Sequence, residues 1–257
     1  MLRVGFAIVL GIISHVTYAQ SNDLFRPFDC RYYAGVDSAN EITAGVTSIH
    51  TDTLTAVAQF EEPVVVVDTL EGWKQWSAVE NYSFGKNRGS ITMINDLRAL
   101  HPFFRDRIIQ LIEICKTKGI ELAVVETFRT HAKQHEYKSM GKKYTNSGAG
   151  RSRHQYGLAV DVVPIVDSAA VWDNAILWRK VGVIGENIGL RWGGRWRKPF
   201  DPGHFEWTGG LTSSHLVAGE LPAVPESEHY PCLDEDLRLL RSYWTEWETS
   251  QSSLTRK

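Results

Sequence analysis

Within Ser152-Arg153-His154-Gln155-Tyr156-Gly157-Leu158-Ala159-Val160-Asp161, an imidazole and a carboxylate flank a glycine-containing turn that leads into an apolar run. Both side chains can point into one cavity. His204 lies further along, preceded three positions earlier by Asp201. Two histidines and one aspartate suit a zinc ion, while another carboxylate stands beside the metal. Three protein ligands leave a coordination position for water, which is the arrangement of a catalytic rather than a structural zinc site. Zinc lowers the pKa of bound water to about 7 and polarises a carbonyl. A nearby carboxylate accepts the water proton and passes it to a leaving amine. These parts suffice for amide hydrolysis. Arg129 is the candidate cation that holds a substrate carboxylate or steadies an oxyanion.

Other constellations carry less. His131 and His135 stand four apart on a predicted helix, but no Glu follows His131 as a zinc-binding HExxH pair requires, and both read as exposed. Ser152 has no G-x-S-x-G around it and is not read as a nucleophile. Trp192, Trp196 and Trp207 are near the ligands in sequence; a stacking wall is conceivable, but core burial is the commoner use of so large an apolar side chain. Arg191, Arg195, Arg197 and Lys198 form a local basic cluster that suits an acidic substrate or is simply a solvated loop.

The elements that must position these residues follow from periodicity. Pro102 stands near the start of a helical pattern in which Phe104, Ile108, Leu111, Ile112 and Cys115 recur at three- and four-residue spacing, with Gly119 as the stop. Ile120 to Phe128 reads as a buried strand and Thr130 to Met140 as a second helix closed by Gly141. A loop follows to Gly150. A strand from Leu158 to Val163 ends at Pro164, and a helix around Asn174 to Asn187 leads to Gly189. Trp192 to Trp196 reads as a hairpin or tight loop. Leu237, Leu240, Tyr243, Trp244 and Trp247 predict a terminal amphipathic helix, over Leu233 to Trp247, that docks onto the main domain.

The chain has 257 residues, 43% hydrophobic and 23% charged, with a formal net charge of -2. That excludes a disordered or fibrous protein and gives no basis for nucleic-acid binding. Residues 1–19 read as a signal peptide: Arg3 precedes an apolar run from Val4 to Ile13, and Thr17, Tyr18, Ala19 have the small-residue spacing of a cleavage site. The run is short of the about 20 residues that span a bilayer, so no stable membrane insertion is expected after cleavage. The mature protein is expected to be secreted or periplasmic. Residues 20–83 form an N-terminal extension read as an irregular wrap, with Val64 to Val67 its one strand-like run. Of the three cysteines, Cys30 and Cys232 are expected to join the two extensions by a disulfide, while Cys115 falls on the apolar face of its helix and is expected to be buried and free.

With these residues assembled, the chain resembles the LAS-type zinc peptidases: D-Ala-D-Ala carboxypeptidases, D-Ala-D-Ala dipeptidases and L-Ala-D-Glu endopeptidases, whose fold is shared with the Hedgehog signalling domain. The family pattern S-x-H-x-x-G-x-A-x-D is met by Ser152, His154, Gly157, Ala159 and Asp161. By the resemblance His154, Asp161 and His204 bind one zinc ion, Asp201 is the general base, and Arg129 positions the substrate or stabilises the oxyanion. Gln134 and Tyr137 match the family's downstream Gln and aromatic, and Ser152 supports the site by hydrogen bonding. Where the family usually has Ser-Gly shortly before its Arg, this chain has Glu126-Thr127-Phe128, so the pocket beside Arg129 differs in shape. The resemblance implies an α+β fold in which a small antiparallel sheet carries the zinc site and helices pack on it, with a peptidase domain over 84–222 and a C-terminal linker and helix over 223–257. It implies peptidoglycan or muropeptide as substrate. The aspartate base and the ending Pro202-Gly203-His204-Phe205-Glu206 look more like the L-Ala-D-Glu endopeptidase branch. The alternatives are D-Ala-D-Ala carboxypeptidase activity, or a zinc-containing binding module without turnover.

Overall fold

The computed structural model describes residues 76–254. The expected signal peptide, the Val64 to Val67 run and Cys30 lie outside the described residues. Chain order is β1 (Ala78–Val79), β2 (Met93–Ile94), α1 (Pro102–Thr117), β3 (Glu121–Glu126), α2 (His131–Ser139), β4 (Ala159–Val166), β5 (Ala169–Ala170), α3 (Ala175–Asn187), β6 (Arg191–Trp192), β7 (His204–Glu206), α4 (Ser213–Val217) and α5 (Leu233–Leu254). β1 and β2 form a two-stranded ribbon. The main sheet has the order β3-β4-β7-β6, with β5 paired to β4, and every pairing is antiparallel. The fold class is therefore α+β, as the resemblance implied.

α1 begins with Pro at its first turn, where the missing N–H costs nothing. It buries Phe104, Ile108, Leu111 and Cys115 against Val124, Val160, Val162, Val181 and Phe205. Cys115 is a free, fully buried thiol, and burial pushes its pKa up to about 11. Strand alternation puts Asp161 on the opposite side of β4 from Val160 and Val162, so the core side and the polar side come from one short run.

β4 continues through Pro164 to Val166, where the sequence reading ended it. Proline is tolerated because its carbonyl, not its absent N–H, serves the ladder: it accepts from Val171 N at 2.9 Å. α5 runs about two turns past the expected end at Trp247, to Leu254. Those turns are polar, but Gln251 is 2% exposed and donates from Nε2 to Thr92 O at 3.0 Å, so polar rather than apolar contacts extend the helix. α5 builds a second apolar cluster: Leu240, Tyr243, Trp244 and Trp247 close over Trp76, Ile94, Ala99 and Phe128. Trp244 stacks on Phe128 at 5.2 Å with planes 4° apart and donates to Ala99 O at 3.0 Å. Cys232, just ahead of α5, is disulfide-bonded.

Candidate metal centre

Register delivers the acidic candidate ligand and one histidine together. Asp161 on β4 lies directly opposite His204 on β7, and Glu126 on β3 faces Asp161 from the other side. His154 sits on a 3-10 turn, Arg153–Tyr156, that feeds β4. Gly157 closes that turn at φ 60°, and a Cβ there would meet Ala99 O and a Trp244 ring carbon, each at 2.7 Å. Only glycine fits both demands. Ser152 caps the turn, its N–H bound by the Gln155 side-chain carbonyl at 3.4 Å. Gly193 makes a similar allowance across the site: a Cβ would strike Asp201 O at 2.4 Å, the contact that brings the Asp201 turn against β6. Asp201 O then accepts from His204 N at 3.2 Å, so the acid is fixed one turn from a ligand.

The three candidate ligand atoms converge. His154 Nε2 is 3.2 Å from His204 Nδ1 and 3.3 Å from Asp161 Oδ1, and His204 Nδ1 is 3.1 Å from Asp161 Oδ1. Ligands about 2.0–2.1 Å from a tetrahedral zinc stand about 3.4 Å apart, which this triangle approaches. The far nitrogen of each ring has its own acceptor: His154 Nδ1 faces Thr127 O at 3.1 Å, and His204 Nε2 faces Glu206 Oε2 at 3.2 Å. With the ring protons placed there, lone pairs from two rings and a carboxylate meet at one point, which calls for a cation. Burial works against a charged His204, yet hydrogen bonds to Asp161 and Glu206 push its pKa up to about 10. Burial alone would raise Asp161, but the charges of His154 and His204 hold it well below the usual carboxylate range. Residues 154, 161 and 204 thus form a buried cluster able to bind a metal. Glu206, which sequence reasoning passed over, is the outer partner of that cluster, bound in turn by Arg191 at 3.0 Å and Arg153 at 3.5 Å. Its signal was available: two residues past a ligand on a strand, it shares that ligand's face.

Asp201 is the exception among the acids. Burial raises its pKa, and the nearby Asp161 charge raises it further. Arg129 is 6% exposed; Nε donates to Glu126 Oε2 at 3.0 Å, Nη1 to Gln134 Oε1 at 3.1 Å, and Nη2 reaches Asp161 Oδ2 at 3.7 Å. Its guanidinium lies 4.7 Å over the Tyr137 ring. Gln134 passes the contact on, donating to Ser147 O at 2.8 Å. Arg129, Gln134 and Tyr137 are therefore brought together behind Asp161. Glu126 occupies the place of the missing Ser-Gly and neutralises Arg129. Trp192 is buried in the core and donates to Pro202 O at 2.8 Å beneath the Asp201 turn; Trp207 packs on Phe103 at 4.6 Å. Trp196 lies beside His204, centroids 5.1 Å apart. In the basic cluster Arg191 is spent on Glu206 and Arg195 on Glu186 at 2.7 Å. His131 and His135 are exposed, and His131 pairs with Glu248 at 2.8 Å.

A three-ligand cluster on an antiparallel sheet, with an acid of raised pKa one turn away, has the composition of a mononuclear metal hydrolase. A family model described as D-alanyl-D-alanine carboxypeptidase matches residues 145–207. The peptidoglycan L-alanyl-D-glutamate endopeptidase CwlK of Bacillus subtilis (strain 168) is 30% identical over 121 residues, 42% of this chain and 72% of that protein. The chain belongs to the LAS-type metallopeptidases, the family of these carboxypeptidases and endopeptidases. Among solved structures it is similar to the L-Ala D-Glu endopeptidase ChiX of Serratia marcescens, with 30% identity, 44% of this chain and 83% of that one covered, and a TM-score of 0.37. VanYB in complex with D-alanine-D-alanine is 20% identical, with 54% of this chain and 82% of that one covered and a TM-score of 0.34. No helix among the described residues is long and apolar enough to cross a membrane.

Proposed function

We propose that the protein is an exported, zinc-dependent peptidase that hydrolyses peptidoglycan stem peptides at the L-Ala–D-Glu bond. The observation that carries this reading is the convergence of His154 Nε2, Asp161 Oδ1 and His204 Nδ1 within 3.1–3.3 Å of one another, beside an acid whose pKa is raised. His154, Asp161 and His204 hold one zinc ion, which when bound polarises the scissile carbonyl and acidifies water. Asp201 takes the water proton and returns it to the leaving nitrogen, a double task suited to a carboxyl whose pKa lies above its ordinary range. Arg129, whose charge Glu126 offsets, is fixed by Glu126, Gln134 and Tyr137 and acts as a positioning residue, its Nη2 3.7 Å behind Asp161 Oδ2. Ser152 holds the turn that presents His154. The catalytic unit spans 84–222, after a signal peptide over 1–19, and works outside the cytoplasm. Zinc-loaded protein incubated with defined muropeptides, with and without chelator, tests the reading by mass spectrometry. Chelator-sensitive cleavage between L-Ala and D-Glu is the expected result. Release of terminal D-Ala would move the protein to the carboxypeptidase branch, and no product from zinc-loaded protein would make it a binding module.

A further inference from the structure

Arg88 is the cation at the metal cluster with the least to do. Its side chain is 18% exposed, yet its one hydrogen bond among the described residues is long, Nη1 to Asp161 Oδ2 at 3.5 Å. Its Nε is buried with no acceptor among the described residues. A guanidinium offers five N–H donors in a planar fork, and leaving buried donors unpaired is costly. The neighbouring arginines are not in this position: Glu126 neutralises Arg129, and Glu206 holds Arg153 and Arg191.

The fold nevertheless fixes Arg88 firmly. Its carbonyl accepts from Lys133 Nζ, which also donates to Ile91 O at 2.6 Å and to Glu136 Oε2 at 2.9 Å. Glu136 in turn takes the Ser90 hydroxyl at 2.7 Å. The guanidinium lies 5.2 Å over the Trp172 ring, and Trp172 Nε1 donates to Phe84 O at 2.8 Å, which ties down the other end of the segment. Lys86 Nζ stands 4.0 Å over the same ring. Tyr137 adds a buried hydroxyl that also lacks a partner among the described residues. A guanidinium held rigidly from two sides while most of its donors stay unused is preorganised for an anion.

The anion follows from where Arg88 stands. In an amide under attack at the cluster, an α-carboxylate on the leaving residue is three bonds from the scissile carbon, about 3–4 Å away. Such a carboxylate is present both at an L-Ala–D-Glu bond formed through the D-Glu nitrogen and at a terminal D-Ala–D-Ala bond. We propose that Arg88, braced by Trp172 and the Lys133–Glu136 clamp, binds the free α-carboxylate of the residue that supplies the leaving nitrogen, and so selects substrates that carry one. The long bond to Asp161 is readily exchanged for a bidentate pair with that group. This rests on the stem-peptide reading of the site.

The test uses two synthetic peptides, L-Ala-γ-D-Glu-L-Lys with its glutamyl α-carboxylate free or converted to the carboxamide. Zinc-loaded wild type, Arg88→Gln and Arg88→Lys are compared by kcat and KM, by calorimetric binding of both peptides, and by metal content. The wild type is expected to prefer the acid by about tenfold or more, the range of a charge-assisted pair. Arg88→Gln should raise KM for the acid until the preference disappears, with zinc stoichiometry unchanged. Arg88→Lys, which keeps the charge but not the fork, should fall between. An acid-over-amide ratio in Arg88→Gln equal to that of the wild type would overturn the assignment while leaving the hydrolase reading intact. If neither peptide is cleaved, tighter binding of the acid that disappears in Arg88→Gln would support the carboxylate site and sink the L-Ala–D-Glu endopeptidase reading. Equal binding of the two peptides, or none, would sink the carboxylate site.

Discussion

The floor of the site and its walls are held by different forces. The floor is main-chain work: the β4–β7 ladder sets Asp161 against His204, and a four-residue turn sets His154 just ahead of β4. The walls are held by side chains that reach across the chain. Lys133 spans 42 positions to Ile91, His131 N–H reaches Glu248 over 117, and Thr130 reaches Gln251 over 121. Ladder bonds do not depend on which side chain is present, whereas each wall contact is lost with one substitution. The floor should therefore lose function through the candidate ligands and the acids beside them, and the walls should loosen without release of metal.

The largest effects test the floor. His154→Ala should lose both zinc and hydrolysis. Asp201→Ala should keep zinc, measured by atomic absorption, while muropeptide cleavage falls by about 100-fold to 10,000-fold, the usual contribution of a general base. Turnover surviving in Asp201→Ala would remove the acid from the mechanism. Next comes Glu206→Gln, which keeps an acceptor for His204 but not its charge. Zinc affinity should drop by about 10-fold to 100-fold in a competition titration against a chromophoric chelator, as outer partners of metal histidines do. Unchanged affinity would mean that Thr127 and the ladder alone orient the rings.

A smaller effect separates wall from floor. Lys133 is 1% exposed, and its removal in Lys133→Met would leave Glu136 and two carbonyls without their ammonium. We expect a loss of about 3 kcal/mol in urea unfolding, the scale of breaking a buried pair from one side. Amide exchange should rise at Ser90 and Ile91, while zinc content stays at one ion. Zinc loss in this variant would erase the distinction between wall and floor.

The same distinction explains what the sequence made legible. The helices α1 to α3 rest on local spacing, three or four residues to a face, and those periods are visible in one chain. The candidate ligands and Asp201, by contrast, are legible through a family pattern and not through any period. Glu126 opposite Asp161, Arg88 over Trp172 and Gln251 against Thr130 are products of pairing between distant segments, and no period marks them. The polar end of α5 was missed for this reason, since its partners are Thr92 and Thr130 rather than an apolar stripe. Pro164 misled in the opposite direction, because a local rule ended a strand that the ladder continued through its carbonyl.

The smallest effect asks whether the floor has a weak point of its own. His101 joins α1 to the ligand turn, since its N–H donates to Gly157 O at 2.9 Å. It is fully buried, and neither ring nitrogen has a partner among the described residues. Burial, helped by Arg105, lowers its pKa to about 3 from an ordinary 6.5. Because the folded value lies below the unfolded one, the unfolded chain takes up a proton that the folded chain refuses as pH falls through 6.5. Stability is therefore lost between pH 6.5 and 3, not gained, at up to about 1.4 kcal/mol per pH unit. From pH 7 to pH 5 this amounts to about 2 kcal/mol, and in His101→Asn that part of the loss should vanish, whatever the variant costs at pH 7. Urea unfolding of the chelated protein at the two pH values keeps the metal ligands' own linkage to zinc out of the comparison. An identical pH 7 to pH 5 difference in wild type and variant would show that His101 finds a proton partner, and that acid reaches the floor only through the ligands themselves.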